Sequence, residues 1–134
     1  MKVHGRCHCG SVSYEADVDP ARVSACHCTD CQSLSGSPYR VSVPAPRETF
    51  RLLSGVPKTY VKTADSGNNR VHAFCPDCGS PIYSSSTDPE PPLYSLRVGG
   101  LDEREDLPPQ RQIWRTSAMD WADDLRDVPK VERQ

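Results

Sequence analysis

The chain has 134 residues, a net charge of −2 and a hydrophobic fraction of 36%. This length predicts one domain, and the low hydrophobic fraction predicts a thin core. The charge argues against a surface that binds nucleic acid regardless of sequence, and no apolar run approaches the ~20 residues that a membrane span needs. We therefore expect a single domain over residues 1–126, a charged tail over residues 127–134, and neither a nucleic acid nor a membrane as partner.

The first cysteine cluster, Cys7-His8-Cys9-Gly10, leads directly into a predicted strand. Apolar and polar residues alternate over residues 12–18, and this period of two is typical of a half-buried strand. A metal ion held by the cluster would therefore anchor the start of the strand.

The second cluster places Cys26, Cys28 and Cys31 within six residues. Thiolates are the form of cysteine that binds metal, and three of them leave the fourth position of a tetrahedral zinc open, as in catalytic zinc sites. The small and polar residues 33–38 predict a loop after the cluster. Such a loop would form a wall for a small substrate beside the open position.

Four further stretches predict strands on the way to the third cluster. Alternation indicates a strand over residues 39–43, and shorter β-patterns follow over residues 50–53, 58–63 and 70–74. The turn-forming residues 65–69 predict a hairpin between the last two of these strands.

The third cluster, Cys75-Pro76-Asp77-Cys78, has the spacing of a zinc knuckle, in which two thiolates bind one metal from a tight turn. Gly79 follows the cluster and permits a positive φ or a close approach of the backbone to a sulfur. A knuckle supplies two ligands, so a second pair of cysteines is required to complete a tetrahedral site.

The remaining chain is predicted to be strand and irregular structure. Residues 87–92 hold three prolines and predict an exposed loop, residues 93–98 predict a strand, and residues 102–106 predict a solvated turn. Ser117 is placed to cap a short helix over residues 118–125. These patterns together predict a mostly β domain with at most a short C-terminal helix.

The seven cysteines leave three alternatives to a pair of metal sites. Disulfides require an oxidising compartment and would leave one thiol unpaired, and the chain shows no apolar export segment before Cys7. A redox role for Cys75 and Cys78 requires a βαβ context, which the pattern does not provide. The third alternative is one zinc with three idle cysteines. We expect reduced, metal-bound cysteines and a cytoplasmic location.

The cysteines divide most simply into four ligands and three. The outer two clusters supply four thiolates, which close a structural zinc site, and the middle cluster leaves one position of a second zinc open. The structural set is Cys7, Cys9, Cys75 and Cys78, and the second set, for a catalytic zinc, is Cys26, Cys28 and Cys31. We therefore predict two zinc ions per chain, the second of them labile.

Two histidines and three basic side chains are further candidates for site residues. His8 and His27 lie between cysteine ligands and are expected to point away from the metal, but His27 could act as an acid or base near the open position, since histidine titrates near neutral pH. Arg40, Arg70 and Lys62 could contact a carboxylate of an anionic ligand. Solvated surface is the simpler expectation for each of these three.

The cysteine motifs and several later residues match those of one known family. The matching residues are Gly5-Arg6-Cys7-His8-Cys9-Gly10, Cys26-His27-Cys28-Thr29-Asp30-Cys31 and Phe74-Cys75-Pro76-Asp77-Cys78-Gly79, and then Phe50, Gly55, Tyr60, Gly100-Leu101-Asp102 and Trp121. In these motifs the chain resembles the glutathione-dependent formaldehyde-activating enzyme family, which includes centromere protein V. The resemblance implies a small β-tent fold, a structural zinc on the outer clusters and a catalytic zinc on the middle cluster. It departs at Gln112, where many relatives have a histidine.

The resemblance also implies a function. In this family the sulfur of glutathione adds to formaldehyde to give S-hydroxymethylglutathione, the reverse of a carbon–sulfur lyase reaction, so the expected partner is a small thiol together with an aldehyde. Two alternatives remain open: a non-enzymatic zinc module that binds another macromolecule, and a thiol-based redox or metal sensor that loses its second zinc on oxidation.

Overall fold

The fold is given by a computed structural model that describes residues 1–63 and 67–134. These residues form ten strands and one α-helix, joined by turns and short 3₁₀ segments. The elements are β1 (Lys2–Arg6), β2 (Ser13–Asp17), β3 (Ser24–Cys26), α1 (Thr29–Ser35), β4 (Arg40–Pro46), β5 (Arg51–Ser54), β6 (Lys58–Thr63), β7 (Asn69–Phe74), β8 (Pro81–Ser86), β9 (Leu93–Arg97) and β10 (Arg111–Ile113).

The strands form two sheets, which confirms the prediction of a mostly β domain. The small sheet has the order β1-β2-β5, and the large sheet has the order β10-β3-β4-β9-β8-β7-β6. Neighbouring strands are antiparallel except β10, which pairs parallel to β3. Strand β1 was not predicted from the sequence, and the hairpin turn predicted over residues 65–69 lies partly outside the described residues.

The prediction of a C-terminal helix over residues 118–125 is wrong. The chain there makes two 3₁₀ turns, Arg115–Ser117 and Asp120–Asp123, which are separated by extended backbone at Ala118. The α-helix is instead α1, which includes the first half of the loop predicted over residues 33–38. No helix among the described residues is long and apolar enough to cross a membrane.

The core lies between the two sheets and is made of small aliphatic side chains and an aromatic cluster. Val3 and Tyr14 of the small sheet face Val43 and Leu96 of the large sheet in one continuous group of buried side chains. The ring centroid of Phe50 lies 5.5 Å from that of Tyr14, 5.5 Å from that of Tyr83 and 4.7 Å from that of Tyr94. Tilted and edge-to-face contacts between aromatic rings stabilise the fold beyond the burial of their apolar area.

The other face of the large sheet carries polar side chains, and we call it the polar face. Residues that pair directly across antiparallel strands point to the same side of a sheet. The pairs Cys26↔Arg40, Ser42↔Arg97 and Ser84↔His72 therefore lie on one side, opposite the core residues Val43 and Leu96. The strand register thus brings one cysteine of the second cluster next to a row of basic side chains.

Gly5 of β1 makes a close contact on which the packing of the small sheet depends. A Cβ atom added at Gly5 would lie 2.1 Å from Cζ of Tyr14, its partner across the strands, and the Tyr14 ring is buried. We expect Gly5→Ala to lower the free energy of unfolding by about 1–3 kcal/mol, because the ring has no space to move away. Urea denaturation with a fixed metal concentration measures this change.

Gly99→Ala is the matched control, since a Cβ atom at Gly99 meets no atom within 4 Å. It should leave the urea midpoint within experimental error of the wild-type value. Equal midpoints for the two variants would show that the small sheet accommodates the extra methyl group.

Candidate functional site

The structure brings the sulfurs of the outer two clusters together. Their four Sγ atoms lie within 4.8 Å of one another. They come from Cys7, Cys9, Cys75 and Cys78. The first pair lies in the turn between β1 and β2 and the second in the turn between β7 and β8, so this sulfur group joins a hairpin of the small sheet to a hairpin of the large sheet.

The two turns that carry these sulfurs have the same construction. The N–H of Gly10 donates to the carbonyl of Cys7 at 3.1 Å, and the N–H of Gly79 donates to the carbonyl of Cys75 at 2.9 Å. Both glycines have positive φ, 84° and 76°, a conformation that side chains disfavour. Each glycine therefore closes a turn whose two cysteines point to the same side.

The geometry of this group fits a tetrahedral metal ion. Sulfurs bound to one zinc at about 2.3 Å are separated by about 3.8 Å. The Sγ of Cys9 lies 3.6 Å from that of Cys7 and 3.8 Å from that of Cys75. The N–H of Val12 donates to the Cys7 sulfur at 3.2 Å, and the Ser11 hydroxyl lies 3.2 Å from the Cys9 sulfur, so donors that stabilise thiolates surround the group.

The second group contains the sulfurs of Cys26, Cys28 and Cys31, also within 4.8 Å of one another. Cys26 is the last residue of β3, Cys28 precedes α1, and Cys31 lies in the first turn of α1. All three are partly exposed, whereas Cys7 and Cys75 of the first group are buried. Three protein donors with an accessible side are the ligand set of a zinc ion that keeps one position free.

Cys28 also caps the helix that carries the second group. Its sulfur accepts a hydrogen bond from the N–H of Cys31 at 3.3 Å, the role that serine or aspartate usually plays at a helix start. Hydrogen bonding by the Cys31 thiol lowers the pKa of Cys26 to about 5 and raises that of Cys31. The group therefore shares its protons unequally and holds a thiolate at neutral pH.

Two side-chain contacts fix the position of α1. The Gln32 amide donates to the carbonyls of His27 and Ser117, at 2.8 and 3.0 Å, which ties the helix to the chain before it and to the C-terminal segment. Asp30, inside the second cysteine motif, forms an ion pair with Lys62 of β6. The helix thus lies between the C-terminal segment and the far edge of the large sheet.

Neither His8 nor His27 joins the two sulfur groups, as expected. His8 is exposed, and its N–H donates to the Ser80 hydroxyl at 3.0 Å. His27 is buried, and its Nε2 lies 2.8 Å from the side-chain oxygen of Gln112. An amide oxygen only accepts, so Nε2 carries the proton. Gln112 therefore holds the buried imidazole on the side of β3 away from Cys26, where a third cavity lies.

The expectation of a solvated surface position is wrong for Arg40, which is only 6% exposed. Sequence reasoning also missed Arg97, which is 9% exposed and lies beside it on the polar face. The signal was a single arginine in the otherwise uncharged stretch of β9. Both side chains line two cavities, of about 730 Å³ and 430 Å³, and both cavities reach α1.

His72 supports the Arg97 guanidinium from the neighbouring part of the polar face. The Nη2 of Arg97 donates to Nδ1 of His72 at 3.4 Å. Burial, and then the positive charges of Arg97, Arg40, Arg70 and Lys62, lower the pKa of His72 to about 4. The imidazole is therefore neutral at physiological pH and can accept this hydrogen bond.

The fold and the two sulfur groups define a class: a small β-protein with two clusters of cysteines that could each hold a metal ion. Residues 2–117 match the sequence profile of the glutathione-dependent formaldehyde-activating enzyme. That match covers most of the chain and both sulfur groups. The chain belongs to the glutathione-dependent formaldehyde-activating enzyme family.

Two further proteins are similar to this chain. A Schizosaccharomyces pombe protein named as an uncharacterized lyase is 24% identical over 90 residues, which are 67% of this chain and 62% of the relative's length. The crystal structure of a Rhodobacter sphaeroides protein superposes with a TM-score of 0.61 at 24% identity, covering 84% of this chain and 99% of the other. The second likeness shows the fold.

The low pKa of His72 makes a testable contribution to stability. In the folded protein the pKa is about 4, against about 6.5 in an unfolded chain, so between these values the unfolded state binds more protons. The stabilisation is complete above about pH 6.5 and is lost as the pH falls toward 4. We expect His72→Gln to lose less unfolding free energy than wild type between pH 7 and pH 5.

Urea titrations of both proteins at the two pH values measure the difference. The thiol groups contribute equally to the two proteins, so they cancel in the comparison. Equal losses of unfolding free energy in wild type and variant would show that His72 is protonated in the folded state at the same pH as in the unfolded chain.

Proposed function

We propose that this protein is a zinc-dependent carbon–sulfur lyase that acts on the adduct of a small thiol, such as glutathione, with formaldehyde or a related aldehyde. In the direction of synthesis the thiol sulfur bonds to the carbonyl carbon, the C=O π electrons move to oxygen, and the thiol proton ends on that oxygen. The product is a hemithioacetal, RS–CH2OH. The reverse reaction breaks the carbon–sulfur bond.

The observation that carries this proposal is the second sulfur group. Its three sulfurs lie close enough to share one ion, and its partly exposed position leaves room for a ligand from solution. The first group differs, because it supplies four sulfurs and two of its cysteines are buried. Family membership and the lyase name of the fission yeast relative support the same class of reaction.

The two groups would hold two zinc ions in different roles. Four sulfurs close a structural site, and three leave a position at which zinc, when bound, would favour the thiolate form of a substrate and polarise a carbonyl. The structural set is Cys7, Cys9, Cys75 and Cys78, and the second set is Cys26, Cys28 and Cys31.

The protein's own residues would supply binding and orientation. The cap at Cys28 and the Gln32 amide hold α1, and with it Cys31, in a fixed place at the edge of the cavities. Ser35 of the same helix lines the larger cavity, whose other end reaches Cys7 and Cys9. A small thiol held in this cavity would contact the helix that carries Cys31, and holding two reactants in place is itself a source of rate.

A redox sensor is a second candidate, favoured by the close approach of three partly exposed sulfurs. Without metal, peroxide would convert two of these thiols to a disulfide and two water molecules. A module that binds nucleic acid has less support, because Arg40 and Arg97 are buried and do not present their charge to a phosphate backbone.

Metal content separates the two sulfur groups. We expect two zinc ions per wild-type chain and one in the Cys26/Cys28/Cys31→Ser variant, which should stay folded because its removed ligands are partly exposed. Cys75→Ser should unfold or lose cooperative unfolding, because it removes a buried ligand from the site that joins the two sheets. Elemental analysis with circular dichroism on chelator-free preparations measures both. If Cys26→Ser unfolds the chain as severely as Cys75→Ser, the second site is structural.

Catalysis is measured by exchange spectroscopy of the adduct of glutathione with formaldehyde, because this adduct also forms and breaks without a catalyst. We expect wild type to increase the exchange rate above the uncatalysed rate, and the triple serine variant to abolish the increase. No increase with any thiol would sink the lyase proposal, and reversible zinc release by peroxide without unfolding would favour the sensor.

A further inference from the structure

Arg40 and Arg97 are two buried positive charges without a carboxylate partner, and Cys26 and Cys31 are nearby groups that can carry negative charge. Within residues 1–63 and 67–134, neither guanidinium lies within ion-pair distance of a carboxylate. Arg97 donates to two neutral acceptors, the Ser42 hydroxyl at 2.9 Å and the His72 ring at 3.4 Å, and its buried Nε has no acceptor. No protein acceptor in the described part of the chain receives a hydrogen bond from the Arg40 side chain.

Such an arrangement is unfavourable in the empty protein. Buried charges in proteins are normally paired, because removing a charge from water costs free energy that only an opposite charge or good hydrogen bonds can offset. Here two like charges also face each other, and burial together with Arg40 lowers the pKa of Arg97 to about 9. Unfavourable polar arrangements of this kind are found where a ligand completes them.

We propose that Arg40 and Arg97 form a carboxylate-binding pair that holds an acidic group of the thiol substrate, so that the enzyme selects carboxylate-bearing thiols over neutral ones. That the ligand is a thiol rests on the proposed function, whereas the anion site rests on the positions of the two arginines in the structure. A carboxylate matches the donors of a guanidinium in geometry as well as charge.

The pair is placed between the cavities and the second sulfur group. Both arginines lie in the wall that the two cavities share. Arg40 is paired directly with Cys26 across β3 and β4, and the two side chains lie on the same face. Arg97 lies within electrostatic range of Cys31. The three cysteines of the second group are not among the residues that line either cavity, so the Cys26–Arg40 pairing is the link between the arginines and that group. A ligand bound to Arg40 would extend past this pairing to bring its sulfur to the three cysteines.

The surroundings favour a small flexible acid over a macromolecule. The smaller cavity is lined by Leu34, Tyr60 and Tyr83 beside the two arginines, so it offers apolar walls for an aliphatic stem and a charged floor for its end. Arg40 and Arg97 are too deeply buried to meet a flat surface. A molecule that carries a thiol and a carboxylate some atoms apart suits this site.

The binding test uses S-methylglutathione, whose capped sulfur neither reacts nor supplies a thiolate. We expect it to bind the zinc-loaded wild type in calorimetry, and its dimethyl ester, which lacks both carboxylate charges, to bind roughly 10- to 100-fold more weakly. Arg40→Gln and Arg97→Lys should weaken S-methylglutathione to a similar extent without changing the ester. Arg51→Gln, which removes an exposed charge from the small sheet, is the control and should leave both affinities unchanged.

The stability of the Arg40→Gln variant distinguishes a ligand-binding arginine from a structural one, because replacing a structural arginine would lower the urea midpoint. Because the Arg40 side chain has no protein acceptor and faces Arg97, Arg40→Gln should raise the urea midpoint of the ligand-free protein while it weakens ligand binding. A lower midpoint together with unchanged affinity would assign Arg40 a structural role and overturn the proposal.

The outcomes also separate this inference from the lyase proposal. If exchange is catalysed equally well for glutathione and for 2-mercaptoethanol, the protein is a lyase and the carboxylate pair is wrong. If S-methylglutathione binds wild type through the two arginines but no thiol is turned over, the anion site stands and the lyase proposal fails. Ester and acid binding equally to wild type would also overturn the carboxylate pair.

Discussion

The meeting of four cysteine sulfurs from two hairpin turns is the contact on which the rest of the structure depends. One turn belongs to the small sheet and the other to the large sheet, so this group joins the two layers at one end of the molecule. The core between the layers consists mainly of valine and leucine with a few aromatic rings. With so little apolar area to bury, the binding of a metal ion by this group would supply a large part of the free energy of folding.

The register of the large sheet then decides what the molecule can do. The alternation that turns Val43 and Leu96 into the core turns Arg40 and Arg97 to the other side, beside Cys26. A shift of one residue in any of these pairings would move the arginines into the core. The sheet therefore holds its charges in place through backbone hydrogen bonds, which also fix the position of Arg40 relative to Cys26.

Most of what could be predicted from the sequence is local. The spacing of the cysteines predicted two pairs and one triple, because ligand spacing within a turn is a local property, and the need of a closed site for four ligands then joined the two pairs across 66 residues. The helix α1 escaped prediction because a cysteine takes the capping position, a role that propensities assign to other residues. The burial of Arg97 depends on partners on two other strands, Ser42 and Arg40 of β4 and His72 of β7, which no window of sequence contains.

Because Cys28 caps α1, the second sulfur group and the cavity walls depend on the same short helix. With seven residues, α1 is too short to persist without tertiary support, and one of its supports is the sulfur of Cys28. The same helix supplies Leu34 and Ser35 to the walls of the two cavities. Oxidising or alkylating that sulfur would therefore loosen the cavity walls as well as the sulfur group, and by thermodynamic reciprocity a molecule that fills the cavities would strengthen the binding of a metal ion by the three sulfurs.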